Sequence, residues 1–277
     1  MMTTSIQTRL QEIARSDCVP YLLELPKFAP HAGKLSLVLV GSAATGTCRE
    51  DSDIDIAVVC DERTFACISA GTEWASGRPS EVEVSGIQLH YYGITFDTIE
   101  LRLRDLHDAY IYLYSSAVAL HDPEDCYVRR LYGLLAGDPD LRRQRVEGKL
   151  DMLLRRSRAL DACLEEGDIL TIGRVCLEII ALCVKVSALL DDTPFDPRKR
   201  LFGTGLAGRL GRRLEKDIRR LFAEIGGLAD LASAEDFQAF AFPRRLEAII
   251  RRLSDEARKQ GFRVGIEKPD KRHMEPQ

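Results

Sequence analysis

The chain has 277 residues, of which 45% are apolar and 30% charged, a composition typical of a globular protein of one or two domains. Its formal net charge of −4 argues against general binding to polyanions, so we expect no nucleic-acid partner. No run approaches the roughly 18 apolar residues of a membrane helix or forms the apolar core of a signal peptide, so we expect a cytoplasmic protein with no membrane partner.

The first predicted element is an amphipathic helix within residues 4–25. Ile6, Leu10 and Ile13 recur at helical spacing, which indicates one buried face. Prolines and a glycine between residues 26 and 33 then predict a loop that leads into the first strand.

Two predicted strands, residues 35–40 and 54–59, enclose a glycine turn and a pair of aspartates. Side chains alternate along a strand, so Asp53 and Asp55 leave the same face with Cα atoms roughly 6.5 Å apart. Burying an unpaired carboxylate is costly, so two acids beside a β-branched run need a partner. The hard, oxygen-seeking Mg²⁺ ion fits that requirement, since one or two carboxylates usually hold it together with substrate phosphates.

The turn Gly41-Ser42 supplies the complementary half of this site. Backbone N–H groups at a glycine turn that leads into a helix bind anions, so a phosphate there would lie beside the cation. A P-loop is excluded because Thr47 stands where the phosphate-binding lysine should be, and the spacing of Gly41 and Gly46 excludes a dinucleotide fingerprint. The remaining alternative is a plain strand-to-helix turn followed by solvated acids.

The composite of Gly41-Ser42, Gly46-Thr47 and Ser52-Asp-Ile-Asp55 resembles the nucleotidyltransferase superfamily of DNA polymerase beta. It is most similar to the small bacterial members that include antibiotic nucleotidyltransferases. The resemblance covers about residues 35–105 and implies that Asp53 and Asp55 bind one or two Mg²⁺ ions. It further implies that Gly41 and Ser42 hold the β- and γ-phosphates of a nucleoside triphosphate, with ATP as the default donor.

The superfamily also calls for a third carboxylate on a strand beside the aspartate pair. Two further strands are predicted at residues 87–94 and 97–103, after an irregular segment that contains Trp74. Within the second strand, Glu100 has the apolar-acid-apolar context, and Asp97 is the alternative. Strand geometry would place these two acids on opposite faces, so at most one should reach the metal.

The pattern changes to helices after residue 104, which predicts an α+β fold: a mixed sheet with helices, followed by an all-α helical bundle. We place a catalytic domain at residues 1–125, a helical substrate domain at 126–265 and a disordered tail at 266–277. The most apolar helix is predicted at residues 169–190 and should form the centre of the bundle.

Three charged residues of the helical part are candidates for substrate contacts. Glu178 and Lys185 lie seven residues apart, nearly on one helix face. If they face a cleft between the domains, Glu178 would act as the base for the acceptor hydroxyl and Lys185 would meet a phosphate; otherwise both lie on a solvated stripe. Related enzymes carry a similar proline-then-Lys-Arg-Leu turn, which makes Lys199 a further candidate for a triphosphate contact.

These features favour an Mg²⁺-dependent nucleotidyltransferase that transfers NMP from ATP or another NTP to a hydroxyl group and releases pyrophosphate. A small, aminoglycoside-like acceptor is expected because the second domain resembles a bundle rather than a nucleic-acid module. Two alternatives stay open: an adenylyltransferase of antitoxin type that modifies a partner protein, and a nucleotide-binding regulator without turnover. A homodimer is compatible with the resemblance, although no sequence feature demands one.

Overall fold

The computed structural model divides the chain into two compact units, Met1–Asp138 and Pro139–Gln277. The sequence places the domain boundary after residue 125, thirteen residues before this division. The structure describes residues 5–72, 74, 78–123, 125–135, 139–226 and 242–265. The predicted tail at 266–277 lies outside these described residues.

The first unit is built on a mixed five-stranded sheet. Its strand order is β3-β4-β2-β1-β5, with β2 and β4 parallel and the other neighbouring pairs antiparallel. The predicted strands 35–40, 54–59 and 87–94 are confirmed as β1, β2 and β4, whereas the short edge strands β3 and β5 have no counterpart in the sequence interpretation. The strands are β1 Ser36–Val40, β2 Ile54–Cys60, β3 Ser80–Val84, β4 Ile87–Thr95 and β5 Val118–His121.

Helices cover both faces of this sheet because its central strands are apolar on both sides. Alternate residues of β2 point to opposite faces: Ile56 and Val58 pack in one buried cluster with α1 and α2, whereas Ala57 and Val59 pack in the other with α5 to α7. The helices of this unit are α1 Ile6–Ile13, α2 Val19–Glu24, α3 Gly41–Thr45, α4 Glu62–Ile68, α5 Phe96–Arg104, α6 Asp108–Ser115 and α7 Cys126–Leu135.

The predicted strand at 97–103 is wrong, because this segment is helix α5. Thr95 ends β4 and caps the helix, its hydroxyl accepting a hydrogen bond from the backbone N–H of Thr98 at 3.1 Å. Phe96, Ile99 and Leu103 are then buried along one helical face. The alternation of apolar and charged residues in 99–103 is compatible with both a strand and a helix, and the Thr95 cap favours the helix.

Trp74 is a core residue and not an exposed stacking surface. Only 6% of the residue is exposed, and its ring lies 6.0 Å from that of Phe28 and 6.2 Å from that of Tyr91. Its indole Nε1–H donates to the hydroxyl of Ser80 at 3.1 Å, so the polar end of the ring is satisfied. The ring also lies against Gly93 of β4, where no side chain intervenes.

The second unit is all helical among its described residues and is organised around α9, whose predicted bounds are confirmed. Thirteen residues of α9 are buried, and α8, α10, α11 and α12 pack against it. The predicted fold class, a mixed sheet with helices followed by a helical bundle, is therefore confirmed. These helices are α8 Pro139–Glu166, α9 Ile169–Leu190, α10 Leu201–Gly205, α11 Arg209–Gly226 and α12 Phe242–Lys259.

Among the described residues, no helix combines the length and the hydropathy that crossing a bilayer would require.

We expect Gly93→Ala to lower the free energy of unfolding of the first unit by about 1–3 kcal/mol, because an added Cβ would overlap Trp74 and lie 2.9 Å from the Phe65 ring. Urea unfolding followed by tryptophan fluorescence measures this unit alone, since Trp74 is the single tryptophan of the chain. Gly33→Ala is the matched control: a Cβ there meets no atom within 4 Å. Equal midpoints for the two variants would contradict the assigned packing.

Candidate active site

Asp53 and Asp55 lie at the start of β2, where the sheet face is no longer covered by apolar packing. Asp53 immediately precedes the strand and Asp55 is its second residue, so both carboxylates leave the same face. Their side chains are 40% and 32% exposed, whereas the neighbouring residues Ile54 and Ile56 are fully buried.

His90 of β4 is the third member of this group. In the parallel pairing of β2 and β4, His90 is the residue directly beside Asp55. Its Nδ1 lies 3.0 Å from Asp53 Oδ2 and 3.7 Å from Asp55 Oδ1. One ligand atom from each of the three side chains lies within 4.8 Å of the others, so a single cation can contact all three.

Sequence reasoning did not identify His90. The available signal was weak: a polar residue between the buried Leu89 and Tyr91 of a predicted strand. The register between β2 and β4 gives that polar residue its partners, and a single sequence does not specify the register of a parallel pair.

Glu81 of β3 lies on the far side of His90. The antiparallel pairing of β3 and β4 puts the two residues opposite each other, with Glu81 Oε1 3.9 Å from His90 Nε2. The imidazole therefore has one nitrogen directed at the aspartate pair and the other at a further carboxylate, whose side chain is 60% exposed.

The glycine turn lies against Asp55. Gly41 has φ +72°, and a Cβ at this position would overlap Asp55 Oδ2 and lie 3.0 Å from its Cγ. Both the left-handed backbone and the close approach therefore require glycine here. Ser42 follows as the second residue of α3 and is half-buried.

Helix α1 holds the backbone of this turn in place. The side-chain amide of Gln11 donates to the carbonyl of Ala43 at 3.1 Å, and that of Gln7 donates to the carbonyl of Ala44 at 3.3 Å. These hydrogen bonds satisfy carbonyls of the short helix α3 and fix its position relative to β2.

Asp97 and Glu100 are not brought to the aspartate pair. They lie in α5, which begins directly after β4 ends at Thr95. Thr95 pairs with Cys60, and Cys60 lies five residues along β2 from Asp55, a distance of roughly 16 Å. Three residues apart on a helix, they share a face instead of opposing each other. Both bind Arg130, with Asp97 Oδ1 2.6 Å from Nη2 and Glu100 Oε1 2.7 Å from Nε.

Of the three candidates of the helical unit, two lie on α9 and one lies in the turn before α10. Glu178 of α9 pairs with Arg156 at 3.1 Å and Arg174 at 3.3 Å. Lys185 is half-buried on the same helix. Lys199 is exposed in the turn before α10, and its backbone N–H donates to Asp196 Oδ1 at 3.1 Å.

The group of Asp53, Asp55 and His90 fits a divalent cation chemically. The two carboxylates supply hard oxygen ligands and negative charge to balance that of a cation. One imidazole nitrogen on the neighbouring strand completes a set of three ligand residues. Because the two aspartate side chains are partly exposed, a cation held by these residues could also bind substrate oxygens.

Comparison with known proteins agrees with this geometry. Residues 22–113 match the family model described as "Nucleotidyltransferase domain", and the match spans α3, the aspartate pair and His90. The first unit carries a nucleotidyltransferase domain of the polymerase-beta superfamily. No curated protein matches the chain.

One solved structure that is similar to this chain is a nucleotidyltransferase-like protein from Exiguobacterium sibiricum 255-15. It shares 10% sequence identity with this chain at a TM-score of 0.49, over 91% of this chain and 75% of that one.

We expect Gly41→Ala to weaken divalent-cation binding to the nucleotidyltransferase domain at least tenfold, because the added methyl would displace Asp55. Isothermal titration with MnCl₂ measures the effect. Gly71→Ala is the matched control: its φ of +74° brings a similar strain of about 1–3 kcal/mol, but a Cβ there meets no atom within 4 Å. Wild-type affinity in Gly41→Ala would show that the turn does not support the cation site.

Proposed function

We propose that this protein is a metal-dependent nucleotidyltransferase that transfers NMP from a nucleoside triphosphate to a hydroxyl group and releases pyrophosphate. One observation carries the proposal: within a nucleotidyltransferase domain, Asp53, Asp55 and His90 converge within 4.8 Å, with Gly41 packed against Asp55. A cation held there lies beside a glycine turn able to receive phosphate oxygens.

Each residue of the site has a role in this reaction. Asp53 and Asp55 would hold the cation, which would supply Lewis-acid stabilisation of charge on the α-phosphate. The backbone N–H groups at Gly41 and Ser42, together with the Ser42 hydroxyl, bind the β- and γ-phosphates. The acceptor oxygen forms a bond to the α-phosphorus, the bond from that phosphorus to the β-phosphate oxygen breaks, and pyrophosphate leaves with the electron pair. Positioning and electrostatics supply most of the catalysis in such transfers.

The finer assignments follow from the sequence. ATP is the proposed donor, Mg²⁺ the expected cation, and a small aminoglycoside-like molecule the proposed acceptor. Lys185 and Lys199 are proposed phosphate contacts, and Glu178 is the proposed base that receives the acceptor proton. Because Glu178 forms ion pairs with Arg156 and Arg174, its use as a base requires at least one of these pairs to open.

A second candidate function is a nucleotide-binding regulator without turnover. The observation that favours it is the position of Asp97 and Glu100, which bind Arg130 and leave His90 beside the aspartate pair in place of a third carboxylate. Such a protein would bind a nucleoside triphosphate with a cation and release no pyrophosphate.

We expect Asp53→Asn and Asp55→Asn each to reduce pyrophosphate release at least a hundredfold, because each removes a charged cation ligand while preserving the side-chain shape. The assay contains α-labelled ATP, MgCl₂ or MnCl₂, and a panel of aminoglycosides and lincosamides. Asp51→Asn is the matched control: it removes an exposed carboxylate from the same loop and should leave turnover unchanged.

Four outcomes separate the proposals. Label on a small molecule, lost in both site variants, supports the nucleotidyltransferase. Label on a co-purified protein points to the antitoxin-type activity. Nucleotide binding without pyrophosphate release from any acceptor supports the regulator. Wild-type turnover in Asp53→Asn and Asp55→Asn would overturn the assigned site.

A further inference from the structure

The cation site of this domain contains one nitrogen ligand whose position is fixed by the sheet. His90 pairs with Asp55 on β2 and with Glu81 on β3, so the register of two strand pairs determines where its imidazole lies. The side chain is 23% exposed and belongs to a central strand. A cation that binds both aspartates therefore meets His90 Nδ1, which lies within 3.7 Å of both carboxylates.

An imidazole changes which cations such a site prefers. Mg²⁺ favours all-oxygen coordination and gives up its water reluctantly, whereas first-row transition cations accept imidazole nitrogen together with carboxylate oxygen. With a carboxylate in place of His90, all three side-chain ligands would be oxygen atoms. The Asp-Asp-His combination thus lowers the relative affinity for Mg²⁺ compared with a cation that binds both kinds of ligand.

Glu81 supports the use of Nδ1 as the ligand. At 3.0 Å, His90 Nδ1–H donates to Asp53 Oδ2, and a cation bound by both aspartates would take the place of that proton. The ring proton would then lie on Nε2, where the Glu81 carboxylate, 3.9 Å away, is the nearest acceptor that the sheet provides. Metal-binding histidines usually have such a carboxylate or carbonyl on their far side.

We propose that His90 Nδ1 is a direct metal ligand and that it makes the site selective for a divalent first-row transition cation, represented by Mn²⁺, over the Mg²⁺ that the sequence alone predicts. Glu81 acts as a positioning residue that orients the imidazole. The inference rests on the proposed function for the use of this cation with a nucleotide, but binding of the cation can be measured without any nucleotide.

The decisive quantity is the ratio of the Mg²⁺ and Mn²⁺ dissociation constants of the full chain. Loss of the free Mn²⁺ electron paramagnetic resonance signal gives the Mn²⁺ constant, and competition by MgCl₂ gives the other. We expect His90→Asp to lower the preference for Mn²⁺ at least tenfold, because it restores an all-oxygen set. His31→Asp, the same exchange in the short 3₁₀ helix Ala29–Lys34 outside the site, should leave the ratio unchanged.

A second measurement does not require a variant to fold. In the Mn²⁺-loaded wild-type chain, electron spin-echo modulation should show a directly coupled nitrogen, which ¹⁵N-labelling of histidine alters. Glu81→Gln should retain this coupling and weaken Mn²⁺ binding about tenfold. A bound Mn²⁺ without nitrogen coupling, or an unchanged ratio in folded His90→Asp, would overturn the inference.

These outcomes are distinct from those that test the proposed function. Turnover that depends on Asp53 and Asp55, with no effect of His90→Asp on cation preference, refutes the selectivity and leaves the nucleotidyltransferase standing. Nitrogen-coordinated Mn²⁺ without pyrophosphate release supports the ligand assignment and refutes the transfer reaction.

Discussion

The candidate site depends on the register of three neighbouring strands. Asp55 pairs with Val40 of β1 on one side and with His90 of β4 on the other, and these pairings bring Gly41 and the imidazole to the same carboxylate. A slip of one residue in either pair would turn a ligand to the opposite face. The fully buried residues that flank Asp55 on β2 make such a slip costly, since it would exchange the side chains packed in the two clusters on either face of the sheet. Packing of the sheet therefore positions the polar site.

The half of the site that lies within one short segment could be predicted from the sequence. The apolar runs around Gly41, Asp53 and Asp55 specify two strands and a turn, and the alternation within a strand places both carboxylates on one face. His90 lies more than thirty residues away, and its role comes from a parallel pairing that local patterns do not encode. For the same reason, the sequence alone favours Asp97 or Glu100 as the third ligand, although both acids lie on α5 and bind Arg130.

The helix α5 shows how a local pattern can satisfy two periods at once. Residues 99–103 alternate like a strand, but the longer segment 96–103 also places Phe96, Ile99 and Leu103 on one helical face. The hydroxyl of Thr95 terminates β4 and starts the helix, which turns both acids toward Arg130. In α9, by contrast, a long apolar stripe agrees with only one period, and its bounds could be predicted correctly.

We propose that two strands present Asp53, Asp55 and His90 to one cation that carries the triphosphate of a nucleotide. A crystal structure with Mn²⁺ and a non-hydrolysable nucleoside triphosphate tests it most directly, because manganese can be located by anomalous scattering. We expect an anomalous peak at about 2.0–2.3 Å from oxygens of both aspartates and from His90 Nδ1, with triphosphate oxygens on the same ion and at the Gly41-Ser42 turn. A manganese peak elsewhere, or a triphosphate bound away from this turn, would contradict it.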